Sequence, residues 1–230
     1  MRLWLLAAFM AMTVSTGAAA QRGPLPHRFE NEIEAFKKAD SARTEPEKAA
    51  LFIGSSTVRL WDLQRSFAHG SVINRGFGGA TTPELLYYYG SVVKPHRPAV
   101  IIAYIGENDI AAGATPMKVA GDVLMLLQRL RRDYPEARIG YVAMKPSPAR
   151  IALWGRMDDA NRMIAARAAT YRADFLDVGA ELRGADGLPD PDLYRADRLH
   201  LNDRGYAVLT AELQGYVGGA KQPVSAKVAR

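Results

Sequence analysis

The sequence predicts an α/β protein: a three-layer α/β/α sandwich whose five-stranded parallel sheet runs in the flavodoxin-like order 2-1-3-4-5. Three observations lead there. Short apolar runs alternate with segments whose apolar residues recur every three or four positions, and strands alternating with helices call for a parallel sheet covered on both faces. Beyond the first twenty residues the most apolar run is Ala99 to Ile105, which shows no polar alternation, as a strand buried on both faces requires. No internal repeat or linker divides the 230 residues, a length that suits one full core, and 48% hydrophobic with 23% charged residues is ordinary for a soluble globular chain.

Each element has a local reason. Met1-Arg2 precedes an apolar run, Leu3 to Val14, and then a small-residue stretch ending with Ala18 and Ala20. That pattern describes a secretory signal peptide over residues 1–20, with a mature chain starting near Gln21 and exported to the periplasm or beyond. The run is short for a membrane span, so no stable membrane insertion is expected once the signal is cleaved; an uncleaved anchor is the alternative. Residues 21–46 carry a linker and an amphipathic N-terminal helix from Arg28 to Ala39, with Phe29, Ile33 and Phe36 at helical spacing. The main domain spans residues 47–217. Its strands are Leu51 to Ile53, Ser71 to Arg75, Ala99 to Ile105, Arg138 to Met144 and Asp174 to Val178. Helices are expected at Thr57 to Trp61, Pro83 to Val93, Met117 to Tyr134, Ile151 to Tyr171 and Asn202 to Tyr216, the second with proline suited to its first turn. Gly184 to Pro189 reads as a turn, and residues 218–230 as a frayed basic tail.

The chemistry concentrates where strands end. Leu51-Phe-Ile53 stops at Gly54, and Ser55 and Ser56 follow at a helix start. A serine at such a turn is a common helix cap, but it also places a hydroxyl beside unpaired backbone N–H donors, where a nucleophile attacking a carbonyl would use them. The order 2-1-3-4-5 seats Gly79, Ser56 and Asn108 side by side at the C-terminal ends of strands 2, 1 and 3, where open α/β sheets bind ligands. The chain has four histidines, His27, His69, His96 and His200. Only His200 follows the last strand and returns to that edge. Asp197 stands three residues before it, close enough to hold the imidazole Nδ1 and leave Nε2 for a serine. Asp109 reads as a brace for its loop or a cap for the next helix.

Other chemistries fit less well. There is no cysteine, hence no thiol nucleophile, and scattered histidines make a metal site unlikely, so neither metal nor cofactor is expected. A net charge of +6 is spread among acidic residues without an aromatic-interleaved basic patch, which argues against a nucleic-acid partner. A lipase-type elbow would need glycine where Val58 stands, and a dinucleotide loop would need glycine at Thr81.

Four blocks in order, F-I-G-S-S, N-R-G-F-G-G-A-T-T, G-E-N-D and D-R-L-H-L-N, make the stretch from Leu51 to Tyr216 resemble the SGNH hydrolases, also called GDSL esterases and lipases. The resemblance implies the SGNH hydrolase fold and a serine acyl hydrolase. Its nucleophile falls on Ser56, its oxyanion donors on Gly79 and Asn108, and its acid and base on Asp197 and His200. Two departures, Ser55 where the family usually has Asp and Ala80 where some relatives carry Asp, bear on substrate more than on activity. The expected activity is hydrolysis of carboxylic esters, with short-chain or acetyl esters foremost. A lysophospholipase, a thioesterase and a catalytically silent binding module of the same fold are the alternatives. Trp61, Phe77, Tyr87 to Tyr89 and Trp154 are candidates for aromatic surface, and Arg150 and Trp154 for lining the substrate cleft. The partner is a small-molecule, glycan or lipid ester; oligomeric state is not legible.

Overall fold

A computed structural model describes residues 28–42 and 48–218; the expected signal peptide and the tail past Gly218 lie outside the described residues. Five strands, β1 (Ala50–Gly54), β2 (Val72–Gly76), β3 (Val100–Tyr104), β4 (Arg138–Val142) and β5 (Ala173–Leu176), pair in parallel in the order β2-β1-β3-β4-β5. Alternate residues of β1 serve opposite faces, because successive side chains on a strand point to opposite sides. Leu51 and Ile53 join the core under α1 (Glu30–Ser41) and the helices between β2 and β5, whereas Ala50 and Phe52 join the core on the other face.

The register fixes the rim. Gly54 lies opposite Gly76 of β2 and Tyr104 of β3, so the first three strands end level. Gly54 has φ +147°, and a Cβ there would stand 1.9 Å from the Tyr104 carbonyl oxygen. Only glycine lets β1 turn out of the sheet this close to β3.

Several helices differ from the expectation. The segment after β1 is two single turns, α2 (Ser56–Arg59) and α3 (Leu63–Ser66), because Asp62 restarts the helix by accepting from the Arg65 N–H at 3.0 Å. The helix expected over Pro83 to Val93 is also two, α4 (Thr82–Tyr87) and α5 (Tyr89–Val92), with Tyr88 leaving helical geometry between them. The break sends the ring of Tyr89 fully into the core, where Arg129 stacks over it 3.9 Å from the centroid. A short helix not anticipated from sequence, α6 (Glu107–Ala111), follows β3 directly. The expected helix α7 (Pro116–Asp133) is present, capped by Thr115. The long helix expected from Ile151 to Tyr171 starts at Trp154 as α8 (Trp154–Ala168), after a 3-10 stretch, Pro148–Leu153, kinked at Arg150. A final helix, α9 (Asp203–Val217), is capped by the Asn202 side chain, which accepts from the Gly205 N–H at 3.1 Å.

The aromatic surface expectation is corrected for three residues. Trp61, Phe77 and Tyr89 are core, because each fills a gap between a helix and the sheet; Tyr87 is the exposed one of its run. Phe77 meets Phe29 of the N-terminal segment edge-on at 4.9 Å, and Trp61 stacks with Tyr206 of α9 at 5.6 Å. The Tyr206 hydroxyl donates to the Thr57 carbonyl at 2.9 Å, tying α9 to the turn that carries Ser56.

Gly54→Ala forces both a left-handed backbone and a clash with a neighbouring strand. We expect a loss of about 3 kcal/mol or more, or failure to fold. Chemical denaturation of the purified variant beside wild type measures it.

Candidate active site

Ser56 opens α2 just beyond the end of β1. The turn is held from two sides. Ser55 N–H donates to the Tyr104 carbonyl at 3.2 Å, and the Asn74 side chain of β2 donates to the Val58 carbonyl at 2.7 Å while accepting from the Gly76 N–H at 2.9 Å. Ser55 is itself buried, so the residue that departs from the family pattern lies inside the turn rather than on its surface.

The hydroxyl of Ser56 lies 2.9 Å from His200 Nε2, and His200 Nδ1 lies 2.7 Å from Asp197 Oδ2. Asp197 Oδ1 accepts from the His200 N–H at 2.9 Å and the Leu199 N–H at 3.0 Å, so carboxylate, backbone and ring share one tight turn. Desolvation pushes the Asp197 carboxyl up, but the His200 ring and the two backbone N–H groups outweigh it and bring the group down to about 2. The carboxylate is therefore charged wherever the protein works near neutrality, and it fixes the tautomer with the proton on Nδ1.

Asn202 keeps this turn in place. Besides capping α9, its amide donates to the carbonyls of Asp192 at 2.8 Å and Tyr194 at 3.1 Å. The loop is also joined to the one after β4, where Ala149 N–H donates to the Arg198 carbonyl at 2.9 Å.

Gly79 sits after β2 with φ +76°, a conformation that favours glycine. No backbone acceptor takes its N–H among the described residues, and its carbonyl accepts from Arg28 at 3.2 Å. Asn108 lies on α6. One hydrogen of its Nδ2 goes to the Ala80 carbonyl at 3.0 Å, and its Oδ1 accepts from Arg150 Nη2 at 2.8 Å. Asp109 accepts from the Thr82 N–H with both oxygens at 3.0 Å, linking α6 to the start of α4 and so bracing the loop that holds Gly79.

The structure thus brings Ser56, His200 and Asp197 into one hydrogen-bonded line and joins Arg150 to Asn108. Trp154 is not joined to that line: it packs partly against the core, with the Arg183 guanidinium 5.0 Å over its ring. Arg183 leads into the Gly184–Pro189 turn, which closes on itself through Gly184 N–H to the Leu188 carbonyl at 2.8 Å and Leu188 N–H to Asp186 at 2.9 Å. His96 lies buried 3.8 Å from Asp40 of α1, and His69 is exposed before β2, while His27 falls outside the described residues. Among the described residues no three His, Asp or Glu side chains gather as a metal site would, and no helix is long and apolar enough to cross a membrane.

Sequence reasoning passed over Asn74, Glu107, Lys145 and Asn202. A lysine immediately after an apolar strand, as in Met144-Lys145, was the available signal for a buried ion pair: Lys145 is 1% exposed and donates to Glu107 Oε1 at 3.3 Å.

The sequence profile of the GDSL-like Lipase/Acylhydrolase family matches residues 56–208, two thirds of the chain. The chain belongs to that family of ester-bond hydrolases, and its five-stranded sheet is the SGNH hydrolase fold. Among solved structures it is similar to a Streptococcus pneumonia protein described as a "putative platelet activating factor", at 25% identity and TM-score 0.74 over 82% of this chain and 92% of that one. It is also similar to a GDSL-like lipase from Bacteroides thetaiotaomicron, at 19% identity and TM-score 0.72 over 82% and 98%. A third is a variant of Axe2, an acetyl-xylooligosaccharide esterase from Geobacillus, at 17% identity and TM-score 0.62 over 75% and 94%. No curated protein sequence matches the chain.

Asp109 carries a pH signature. Burial drives its carboxyl from 3.8 up to about 6, against the Thr82 bonds that pull the other way. A raised acid binds its proton more tightly in the folded protein, so its contribution to stability is full below about pH 4 and declines by roughly 2–3 kcal/mol as pH rises through 6. Asp109→Asn keeps an acceptor for Thr82 and removes the proton. Urea unfolding from pH 4 to 7 is expected to show a shallower fall in stability for this variant than for wild type.

Proposed function

We propose that the protein is an exported serine esterase in which Ser56 is the nucleophile, His200 the general base and Asp197 the group that orients His200. The observation that carries this reading is the Ser56–His200–Asp197 line, with separations of 2.9 and 2.7 Å, at the rim where the strands end. Distances in that range allow a proton to pass from hydroxyl to imidazole as the oxygen attacks.

The chemistry follows from the placement. His200 Nε2 takes the Ser56 proton while Oγ adds to the ester carbonyl, and the imidazolium is stabilised by the Asp197 carboxylate. The carbonyl oxygen gains negative charge and meets three donors: the Ser56 N–H, which as the first of α2 has no helical acceptor, the Gly79 N–H, and the second hydrogen of Asn108 Nδ2. The tetrahedral intermediate collapses as His200 passes the proton to the leaving alcohol. Water, deprotonated by His200, then attacks the acyl-enzyme, and Ser56 recovers its proton as the acid departs. No step draws on a metal or cofactor.

The substrate class we favour is a short acyl, above all acetyl, ester of a polar alcohol. Guanidinium groups flank the Gly78–Gly79 turn. Arg28 bonds the Gly79 carbonyl, and the Arg59 side chain packs so closely over Gly78 that a Cβ there would meet its Nη1 at 2.6 Å. Cationic side chains beside this turn suit a small acyl group on a polar carrier better than a long chain. The structural likeness to an acetyl-xylooligosaccharide esterase points the same way. For export, the support is the basic–apolar–small pattern of residues 1–20.

Turnover of p-nitrophenyl acetate tests the mechanism. Ser56→Ala is expected to lose on the order of 1,000-fold or more in kcat, and Asn108→Ala about 100-fold. Equal rates for wild type and Ser56→Ala would remove the assigned nucleophile, and no turnover by wild type across short and long acyl esters and acetylated xylan would favour a silent binding module. Expressed with its leader in a secreting host, the protein is expected to start near Gln21 on N-terminal sequencing; an intact Met1 would point to an anchor.

A further inference from the structure

Three charged side chains that the proposed reaction does not consume meet behind Asn108. Lys145 follows β4 and is 1% exposed, and Glu107 on α6 is 4% exposed. Lys145 Nζ donates to Glu107 Oε1 at 3.3 Å, and Arg150 Nη1 lies 3.9 Å from Glu107 Oε2. One carboxylate thus serves two cations. Arg150, held on one side by Glu107, spends Nη2 on Asn108 Oδ1 at 2.8 Å. Lys145 also donates to the Leu199 carbonyl at 3.1 Å, next to His200.

Ion pairs this deep are a poor source of stability, since desolvation offsets most of their attraction. Their geometric effect is larger. An asparagine amide that could flip would present Oδ1, an acceptor, to the developing oxyanion and repel it. With Oδ1 bonded to Arg150 and one Nδ2 hydrogen bonded to Ala80, the amide has one orientation, and its last hydrogen is left for the substrate oxygen. A guanidinium on Oδ1 also polarises the amide and makes that hydrogen a stronger donor.

We infer that Arg150 is a positioning residue that acts through Asn108, and that Glu107 and Lys145 fix Arg150 while tying this half of the site to the His200 loop. The inference rests on the proposed esterase mechanism and replaces the expectation that Arg150 lines the substrate cleft.

A double-mutant cycle on p-nitrophenyl acetate hydrolysis separates the two roles. Arg150→Ala is expected to lower kcat about 10- to 100-fold with KM changed less than about twofold, whereas in the Asn108→Ala background the same change costs less than about twofold. Arg150→Lys, which can still donate to Oδ1, should recover part of kcat. A raised KM with kcat retained, or an equal loss in both backgrounds, would overturn the inference by making Arg150 a substrate contact. A second measurement is independent of turnover: the Asn108 side-chain amide signal in a nitrogen-15 spectrum, assigned by its disappearance in Asn108→Ala. It should move or broaden in folded Arg150→Ala, and an unmoved signal would overturn the inference even if Ser56→Ala had already removed the esterase mechanism. If Arg150→Ala does not fold, the same signal in Arg150→Met, which keeps the stem and lacks a donor, decides by the same criterion.

Discussion

Parallel strands paired in register end at one level, and here β1 stops at Gly54 with Gly76 and Tyr104 beside it. Half of the site is hung from that shared level. Ser56, the Gly79 turn and α6 with Asn108 are each the next piece of chain after one of these strands, so their mutual distances are inherited from hydrogen-bonded backbone rather than from flexible loops. Precise placement of this kind is what lets a site act on a carbonyl without reorganising when charge develops. The glycines at the rim matter for the same reason: a side chain at Gly54 would push β1 away from β3 and shift the serine from its neighbours.

The imidazole comes from elsewhere, on a loop after β5, and needs separate restraint. Three sets of bonds supply it: the Asp197 turn, the Asn202 amide on the Asp192 and Tyr194 carbonyls, and the contacts from the β4 loop to Arg198 and Leu199. Tyr194 contributes as well, its hydroxyl donating to the Pro146 carbonyl at 2.5 Å and so joining the loops after β4 and β5 again. Here the polar interior is not filler between apolar layers. It connects two loops that no strand pairing holds together.

Sheet order and site order were legible because both follow from simple regularities. Alternating strands and helices imply parallel pairing, and the strand ends then dictate which residues meet; Ser56, His200 and Asp197 could be brought together on paper for that reason. The helices were less legible. Periodicity marks an apolar face but not a break within it, so the run around Tyr88 read as continuous although the burial of Tyr89 interrupts it, and the helix after β4 read as starting at Ile151 although a 3-10 stretch holds that segment and the α-helix begins at Trp154. The pairing of Glu107 with Lys145 was hidden for a different reason, although a lysine directly after an apolar strand hinted at a buried charge. Charged residues are expected at the surface, and only long-range packing shows that these two, 38 positions apart, neutralise each other inside.

The Gly184–Pro189 turn stands apart from this web. Its bonds are local, between Gly184, Asp186 and Leu188, and its neighbour Arg183 reaches out to Trp154 without touching the Ser56–His200 line. A segment inserted there would therefore leave the Ser56–His200 line undisturbed. The loops on either side of Lys145 and His200, by contrast, would carry their disturbance straight into the Ser56–His200–Asp197 line.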